Sequence, residues 1–400
     1  MCKRISILSH RDDYKGTPLQ CYQGDHQGAP LQWTTRPARF LRAIVGASPR
    51  GRPAGRYLLQ VVAPSQRTLW DTFLHEHPHG HLLQSWHWGD LKEATGWQPV
   101  RLALWDQDEQ RIVAGAQVLR YTAPYIPLRL GHLAYVPKGP VLDWTRPELC
   151  DAFFTQLHRW LRTHGALALR VEPPVEIGTP EEKLARPYLD VPGAHSIHPV
   201  QPLRTIVVDL QATEDELRAR MKDKTRYNIG LATRRGVTIR IARTLDDVRN
   251  WYALLQVTGE RDRFGVHTQD YYLRAWELLQ EQEYARLFLA EHEGDLLAGI
   301  FVSAFAHEGI YLYGASSNER RNLMPNYPLQ WEAMRWASSR GARQYDLWGI
   351  PDTDDSDEAM AGVYRFKRGW GGRVVHFIGG CEYVYHPLIM RLAQRFIPTN

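Results

Sequence analysis

The chain has 400 residues, of which 44% are hydrophobic, and its 49 Lys and Arg side chains against 44 Asp and Glu leave a formal net charge of +5. This length and apolar content suffice for two or three packed domains, and so mild a charge leaves any affinity for polyanions to local clusters of basic residues. The four scattered cysteines form no CxxC pair, which argues against a disulfide scaffold or a structural zinc and predicts that no metal is bound.

The sequence predicts a cytoplasmic protein. It contains no run of 18 apolar residues and no signal segment, so we expect no membrane-spanning helix, which leaves open a peripheral contact with the inner face of the membrane. Residues 1–65 show no sustained period and contain a stretch rich in Arg, Gly and Pro. They are therefore predicted to form an irregular, mobile N-terminal extension.

The first clear helix signal is the stretch "SWHWGDLKEATGW", in which Ser85 is suited to cap the helix and Gly96 to end it. Lys92 lies one helical turn after Trp88. Taken alone, Lys92 is either an ordinary solvated helix lysine or a binding group.

Two similar strand–turn–strand patterns stand far apart in the chain. "VRLALWDQDEQRIVAGAQVLRY" begins at Val100 and "ARLFLAEHEGDLLAGIFVSAF" begins at Ala285, and each carries an Ala-Gly pair in its second strand. Each hairpin is followed by more strand, then by a helix with apolar residues at 3.6 spacing that ends in Gly-Ala, and then by another strand.

This repeat predicts an α/β fold (α+β) with two tandem acetyltransferase-like (GNAT-type) domains, each a mixed sheet flanked by helices. The predicted first domain begins with residues 66–180, and the second comprises residues 181–378. Glycine-rich loops that would cradle the pyrophosphate of coenzyme A are missing, because "YVPKGPVLDW" and "SNERRNLMPNYPLQ" carry prolines at the corresponding places. Coenzyme A is therefore disfavoured as the acyl donor.

Three further stretches carry candidate functional groups. In "YVPKGPVLDW" a stiff turn at a strand exit either directs the carboxylate of Asp143 into a cleft or, taken alone, is an ordinary turn. After the capping box Thr213–Glu216, the basic residues Arg218, Lys222 and Arg226 recur at i, i+4 and i+8, which predicts a shared helix face for an anion unless this is a solvated face.

The third stretch, "GVYRFKRGWGG", follows "YDLWGIPD" and an acidic loop, "TDDSDEAM", that suits a lid or a disordered segment. It places Lys367 among aromatic residues and glycines, an arrangement that holds a negative charge where water is scarce. The plainer alternative is a hairpin with solvated basic residues.

Taken in order, the motifs "SWHWGDLK", "YVPKGPVLD", "KTRYNIGLATRRGV", "YDLWGIPD" and "GVYRFKRGWGG" resemble the Fem family of peptidoglycan-bridge aminoacyltransferases over about residues 66–385. The resemblance implies transfer of an amino acid from aminoacyl-tRNA, as co-substrate and without a further cofactor, to the peptide of a UDP- or lipid-linked muropeptide precursor. It also implies that the C-terminal tail packs on the first domain, which then comprises residues 66–180 together with 379–400. No long helical insertion lies between Gly236 and Tyr284, so the chain is similar to the arm-less members.

The resemblance also assigns residues. Lys92 and Arg226 would grip the diphosphate of the precursor, and the family's Phe-Lys pair corresponds to Phe366 and Lys367. A family tyrosine corresponds to Tyr271 or Tyr272, and the Asp of the Gly-Pro-Val-x-Asp motif corresponds to Asp143. Lys367 is expected to stabilise the oxyanion, and Asp143 to orient the attacking amine or to accept its proton.

Two other functions stay open at the level of the sequence. One is an N-acyltransferase of the same fold that uses acyl-coenzyme A in polysaccharide or amino-acid metabolism. The other is an RNA-binding module without catalysis, which would rest on the basic segment and its neighbouring tyrosines.

Overall fold

The computed structural model of this protein describes residues 55–122, 131–191, 193–351 and 361–393. In this part of the chain 14 strands form two seven-stranded sheets, with helices packed against them. Two tandem acetyltransferase-like domains result, and the predicted fold is confirmed.

The first sheet has the spatial order β1-β2-β3-β4-β5-β14-β6. Its strands are β1 (Tyr57–Val61), β2 (Gln98–Asp106), β3 (Arg111–Tyr121), β4 (His132–Pro137), β5 (Ala166–Glu172), β6 (Ala194–Ser196) and β14 (Cys381–Val384). The helices of this half are α1 (Arg67–Glu76), α2 (Trp86–Glu93), α3 (Pro147–Thr163), α4 (Pro180–Leu189) and, at the far end of the chain, α11 (Pro387–Ala393). Strand β14 pairs antiparallel with β5, so the C-terminal segment does return to the first domain.

The second sheet has the order β13-β7-β12-β11-β10-β9-β8. Its strands are β7 (Arg204–Asp209), β8 (Thr238–Ile241), β9 (Ala285–His292), β10 (Asp295–Phe305), β11 (Glu308–Ser316), β12 (Gln344–Gly349) and β13 (Arg373–His376). The accompanying helices are α5 (Glu214–Arg220), α6 (Asp223–Arg234), α7 (Leu245–Asp262), α8 (Gln269–Gln280), α9 (Asn326–Ser339) and α10 (Ala361–Arg368).

The paired Ala-Gly motifs have a common packing reason. A Cβ atom added to Gly115 would lie 2.7 Å from the Trp70 ring, and one added to Gly299 would lie 2.5 Å from the Trp251 ring. Both tryptophans are completely buried. In each domain the indole of a helix tryptophan therefore packs directly against the second strand of the hairpin. Only glycine leaves enough room at that position of the strand.

The structure differs from the sequence analysis at the N-terminal edge of the first domain. Strand β1 lies within the segment expected to be irregular, yet it pairs antiparallel with β2, with Tyr57 opposite Asp106 and Val61 opposite Leu102. Strand β6 likewise joins the first sheet, although the sequence predicts that residues 181–378 form the second domain. Residues 1–54 and the acidic loop at 353–360 lie outside the described residues.

The two domains share one hydrophobic cluster. It contains Trp70, Leu74 and Trp88 of the first domain together with Trp251 and Tyr271 of the second. No helix in the described ranges is long and apolar enough to cross a membrane.

Candidate active site

The two sheets differ at their central pair of parallel strands. In the first sheet β4 pairs with β5 over its whole length, from His132 to Pro137. In the second, β11 and β12 pair only from Glu308 to Ile310, opposite Gln344 to Asp346, and then diverge. A crevice at the carboxyl ends of neighbouring parallel strands is a usual place for ligands in open sheets, and here only the second sheet opens one.

Lys367 fills the base of this crevice. It lies on α10, with only 6% of its surface exposed. Its Nζ donates a hydrogen bond to the Gly349 carbonyl oxygen at 2.7 Å, contacts the Trp348 carbonyl oxygen at 3.4 Å, and lies 5.6 Å from the centre of the Tyr311 ring. The ammonium thus bridges the two diverging strands.

Asp346 supplies the negative charge nearest to this lysine. It is buried, at 3% exposure, and accepts hydrogen bonds from the Thr205 hydroxyl and from the Trp348 backbone N–H. Burial lowers the pKa of Lys367 to about 8, while the charge of Asp346 acts in the opposite direction. Because this pKa lies close to neutrality, the charge of Lys367 is sensitive to small changes around it.

The side chain of Phe366 lies in a different environment from that of Lys367. Its ring makes edge contacts with Tyr327 at 5.3 Å and with Trp370 at 5.9 Å between ring centroids. It therefore packs α10 against α9 and the following turn, which fixes the position from which Lys367 extends.

Lys92 forms a second candidate site at the junction of the domains. Its Nζ lies 4.9 Å from the centre of the Trp88 ring and 5.0 Å from that of Tyr271, and it donates to the Tyr271 hydroxyl at 3.3 Å. No carboxylate forms an ion pair with it among the described residues. Burial lowers the pKa of Lys92 to about 8. A half-buried cation held only by aromatic groups is suited to bind an anion.

The structure distinguishes between the two candidate tyrosines. Tyr271 contacts Lys92, lies 3.2 Å from the Tyr313 hydroxyl and stacks near His267, with ring centroids 4.2 Å apart. Tyr272 instead packs edge-on against the buried Trp251 at 5.3 Å. Of the two, Tyr271 belongs to the Lys92 site.

Asp143 lies in the turn that leads into α3. Its carboxylate accepts hydrogen bonds from the Thr145 backbone N–H at 3.0 Å and the Thr145 hydroxyl at 2.6 Å. Partial burial acts to raise the pKa of Asp143, but these hydrogen bonds and the charge of Arg146 outweigh it, and the pKa is lowered. No described contact joins Asp143 to Lys367 or Lys92.

The shared basic face predicted for the segment after Thr213 is wrong. The Thr213–Glu216 capping box is present, but the helix ends at Arg220 and a new one begins at Asp223, because Met221 and Lys222 are extended with ψ near 150°. Arg218, Lys222 and Arg226 therefore do not lie on one continuous helix.

The guanidinium of Arg226 turns back to the end of the preceding helix. It donates to the backbone carbonyl oxygens of Arg218 at 3.1 Å, Ala219 at 3.4 Å and Met221, and pairs with Asp223. These contacts satisfy carbonyl groups that a helix C-terminus leaves without partners. No described contact joins Arg226 to Lys92.

Replacing Arg226 by methionine is expected to lower the free energy of unfolding by about 1–2 kcal/mol, since partly exposed hydrogen bonds to the end of α5 are lost. Urea denaturation measures this, with Arg234→Met on the same helix as the matched control, expected within about 0.5 kcal/mol of wild type. Weaker binding of a diphosphate-bearing acceptor at unchanged stability would instead establish Arg226 as a binding residue.

Two residues of the site, Asp346 and Tyr311, are not predicted from the sequence. Asp346 carries a signal that could have found it, since it is an acid between Tyr345 and Leu347 in an otherwise apolar strand. Tyr311 carries none, because it is one of several aromatic residues in β11. No group of three or more His, Cys, Asp or Glu side chains in the described ranges could hold a metal ion.

A family model, sequence relatives and a solved structure were compared with this chain; the first two agree on its family and the third on its fold. The model of the FemAB family matches residues 66–184, 193–293 and 277–396. The chain is 26% identical over 395 residues to a lipid II:glycine glycyltransferase of Staphylococcus epidermidis and 25% identical over 400 residues to one of Staphylococcus aureus, each match covering 82% of this chain and 94% of the relative. The crystal structure of FemX is similar to it with a TM-score of 0.74 and 23% identity, covering 84% of this chain and 99% of FemX.

Proposed function

Because this chain belongs to the FemAB family and is an aminoacyltransferase, we propose that it transfers an amino acid from aminoacyl-tRNA to the peptide of a peptidoglycan precursor. The observation that carries the proposal is Lys367, a buried ammonium in the only central crevice that the two described sheets leave open.

The reaction places the ester carbonyl of the donor in this crevice. The amine of the third residue of the precursor peptide attacks the carbonyl carbon, a C–N bond forms, and negative charge develops on the carbonyl oxygen. An ammonium has three N–H donors, and the Trp348 and Gly349 carbonyl oxygens engage up to two of those of Lys367. The remaining donor stabilises the oxyanion until the ester C–O bond breaks. The tRNA then leaves as its hydroxyl, with the proton that the attacking amine gives up.

The Lys92 site suits the diphosphate of the acceptor. Lys92 is a cation without a carboxylate partner among the described residues, and Tyr271 and Trp88 surround it with apolar surface. Relatives of this chain act on lipid II, which favours the lipid-linked precursor over the UDP-linked one. A lipid-linked acceptor in turn requires the enzyme to work at the cytoplasmic surface of the membrane, through a peripheral contact.

Asp143 is assigned to orienting the attacking amine. Its lowered pKa keeps it a carboxylate at neutral pH, and a carboxylate with so low a pKa is a weak general base there. The hydrogen bonds from Thr145 hold it in one orientation.

Transfer of labelled amino acids tests the proposal. Bulk tRNA charged with radiolabelled amino acids is supplied together with UDP-linked or lipid-linked pentapeptide precursor, and acetyl-coenzyme A serves as a parallel donor. Label on the precursor only with charged tRNA is the expected result and identifies the amino acid. Label from acetyl-coenzyme A alone would establish an acyl-coenzyme A-dependent enzyme instead.

The pH dependence of transfer offers a further prediction. Lys367 has a pKa of about 8, and a lysine is protonated below its pKa, so its contribution is present at pH 7 and is lost as the pH rises through about 8. Dividing kcat of the wild type by kcat of Lys367→Met removes the pH dependence that both enzymes share through the attacking amine. This ratio is expected to be flat below pH 7 and to fall about tenfold per pH unit above the pKa. A ratio that stays constant to pH 10 would contradict the role of the ammonium.

A further inference from the structure

Lys138 is a buried ammonium that the proposed mechanism leaves unused. It follows β4 of the first domain, is 3% exposed and has φ of 47°. Its Nζ lies 3.7 Å from the centre of the Phe377 ring and 5.7 Å from that of Trp348. Trp348 belongs to β12 and Phe377 follows β13, so the side chain reaches from the first domain into the second.

Lysine is a rare residue in this chain, which makes its placement informative. Only eight of the 49 basic residues are lysines, and Lys92, Lys138 and Lys367 all stand against aromatic rings at sites shielded from solvent. Lysine, unlike arginine, changes its protonation state readily when buried. Lysine at these three positions therefore supplies amino groups whose protonation depends on their surroundings.

Three carboxylates act electrostatically on Lys138. They are Asp346, Glu308 and Glu172, and each is held by hydrogen bonds or an ion pair of its own. Glu308 lies 3.4 Å from His81 and accepts from Gln344 at 3.0 Å, while Glu172 accepts from the Val200 N–H at 2.7 Å and from the Tyr135 hydroxyl. Burial raises the pKa of Glu308 to about 8. The domain junction thus encloses three carboxyl groups, of which Glu308 is largely protonated at pH 7, together with Lys138 from the first domain.

Trp348 connects Lys138 to Lys367. Its ring faces the ammonium of Lys138, its carbonyl oxygen lies 3.4 Å from the Lys367 Nζ, and its N–H donates to Asp346 at 2.7 Å. Its φ of 63° is unusual for a bulky residue and persists only where the surroundings hold it. The ammonium of Lys138 lies beside the ring of this residue, 5.7 Å from its centre.

We propose that Lys138 is a positioning residue that acts on Lys367 through Trp348 and Asp346. Packing of the first domain against the second then sets both the position of the Lys367 ammonium and the charges around it. The proposal rests on the function assigned to Lys367 above. It makes the domain junction part of the active site, although Lys138 does not touch the donor or the acceptor.

The direction of the effect follows from the shared carboxylate. Asp346 acts electrostatically on both Lys138 and Lys367. Among the described residues, the other groups that contact the Lys367 ammonium are the Tyr311 ring and the carbonyl oxygens of Trp348 and Gly349. Lys138 also favours the ionised form of Asp346, whose pKa is raised by burial. While Asp346 stays ionised, removing the positive charge of Lys138 favours the protonated form of Lys367 and raises the pKa of Lys367. Removing the charge of Asp346 lowers it.

The test follows the titration of Lys367 directly. The protein is labelled with [ε-13C]lysine, and the signal of Lys367 among the eight lysines is assigned by its loss in Lys367→Met. In Lys138→Met we expect the titration midpoint of Lys367 to rise by about half a pH unit or more. We also expect kcat to fall about tenfold at an unchanged KM for the acceptor, because Trp348 and Lys367 lose their alignment; the higher midpoint by itself keeps Lys367 protonated. Lys138→Arg, which keeps the charge, is expected to stay within about threefold of wild type, and Asp346→Asn is expected to lower the midpoint.

Two results would overturn the proposal. One is an unchanged Lys367 midpoint in Lys138→Met, and the other is equal damage by Lys138→Met and Lys138→Arg, which would mean that Lys138 only fills space. Should Lys138→Met not fold, Lys138→Gln replaces it in the same comparison with Asp346→Asn. If the wild type transfers no amino acid, the proposed function fails, whereas the titration still decides whether Lys138 and Lys367 are coupled.

Discussion

Replacing Lys367 by methionine is expected to lower kcat about 10²–10³-fold, the loss typical of removing one oxyanion-stabilising donor. The ammonium lies in the crevice between β11 and β12 and is shielded from water, where a single positive charge acts strongly on a developing negative charge. Methionine has a similar length and suits the buried position, so folding is expected to survive. Single-turnover transfer from charged tRNA measures the effect.

The neighbouring Arg368 offers a matched control for this substitution. Its guanidinium donates to the Gly372 carbonyl oxygen at 3.2 Å and lies outside the crevice contacts of Lys367, so Arg368→Met is expected to keep kcat within about threefold of wild type. Thermal unfolding of both variants checks that the fold is retained. A kcat within tenfold of wild type for a folded Lys367→Met protein would remove Lys367 from the reaction.

Replacing Lys92 by methionine is expected to raise the KM for the precursor about 10–100-fold while kcat changes little, because a hydrogen bond to a charged group contributes about 1.5–3 kcal/mol. The site is preformed, since Trp88 and Tyr271 hold the ammonium from two sides and no carboxylate competes for it among the described residues. Steady-state transfer at varied precursor concentration separates KM from kcat.

The chemistry of the acceptor makes the Lys92 test specific. A precursor fragment that retains the peptide but lacks the diphosphate is expected to bind Lys92→Met and wild type equally. Lys183 on α4 is exposed, and Lys183→Met is the control for loss of one positive charge. If Lys92→Met reduced kcat and left the KM unchanged, Lys92 would act in the chemical step and the diphosphate would have to bind elsewhere.

Local patterns in the sequence predicted the two repeated mixed sheets, although not the strands β1 and β6 that join the first of them. The Ala-Gly pairs at Gly115 and Gly299 marked equivalent strands, because only glycine leaves room for the indole that packs there. The Ser85 and Thr213 caps predicted helix starts correctly, since capping depends on residues within one helical turn. Such features need only short-range information, and two mixed sheets follow from them.

The same short-range reasoning failed at the basic segment. A spacing of four residues predicts a shared face only while the helix continues, and the chain leaves the helix at Met221, whose side chain is buried. Whether a helix continues there depends on packing against distant residues, such as the Gly369 carbonyl oxygen that accepts from the Lys222 N–H at 2.9 Å.

The sequence by itself identified Lys367 and Lys92 as candidates, but only the tertiary structure decided what surrounds them. Lys92 meets Tyr271 across 179 positions of sequence, and the crevice around Lys367 exists because β11 and β12 stop pairing after Ile310 and Asp346. Lys138 acquires a partner in the second domain only when the two domains pack together. Contacts of this kind depend on how the two sheets are packed against each other. Burial lowers the pKa of both Lys92 and Lys367 to about 8, and this burial arises only when the two domains are packed together.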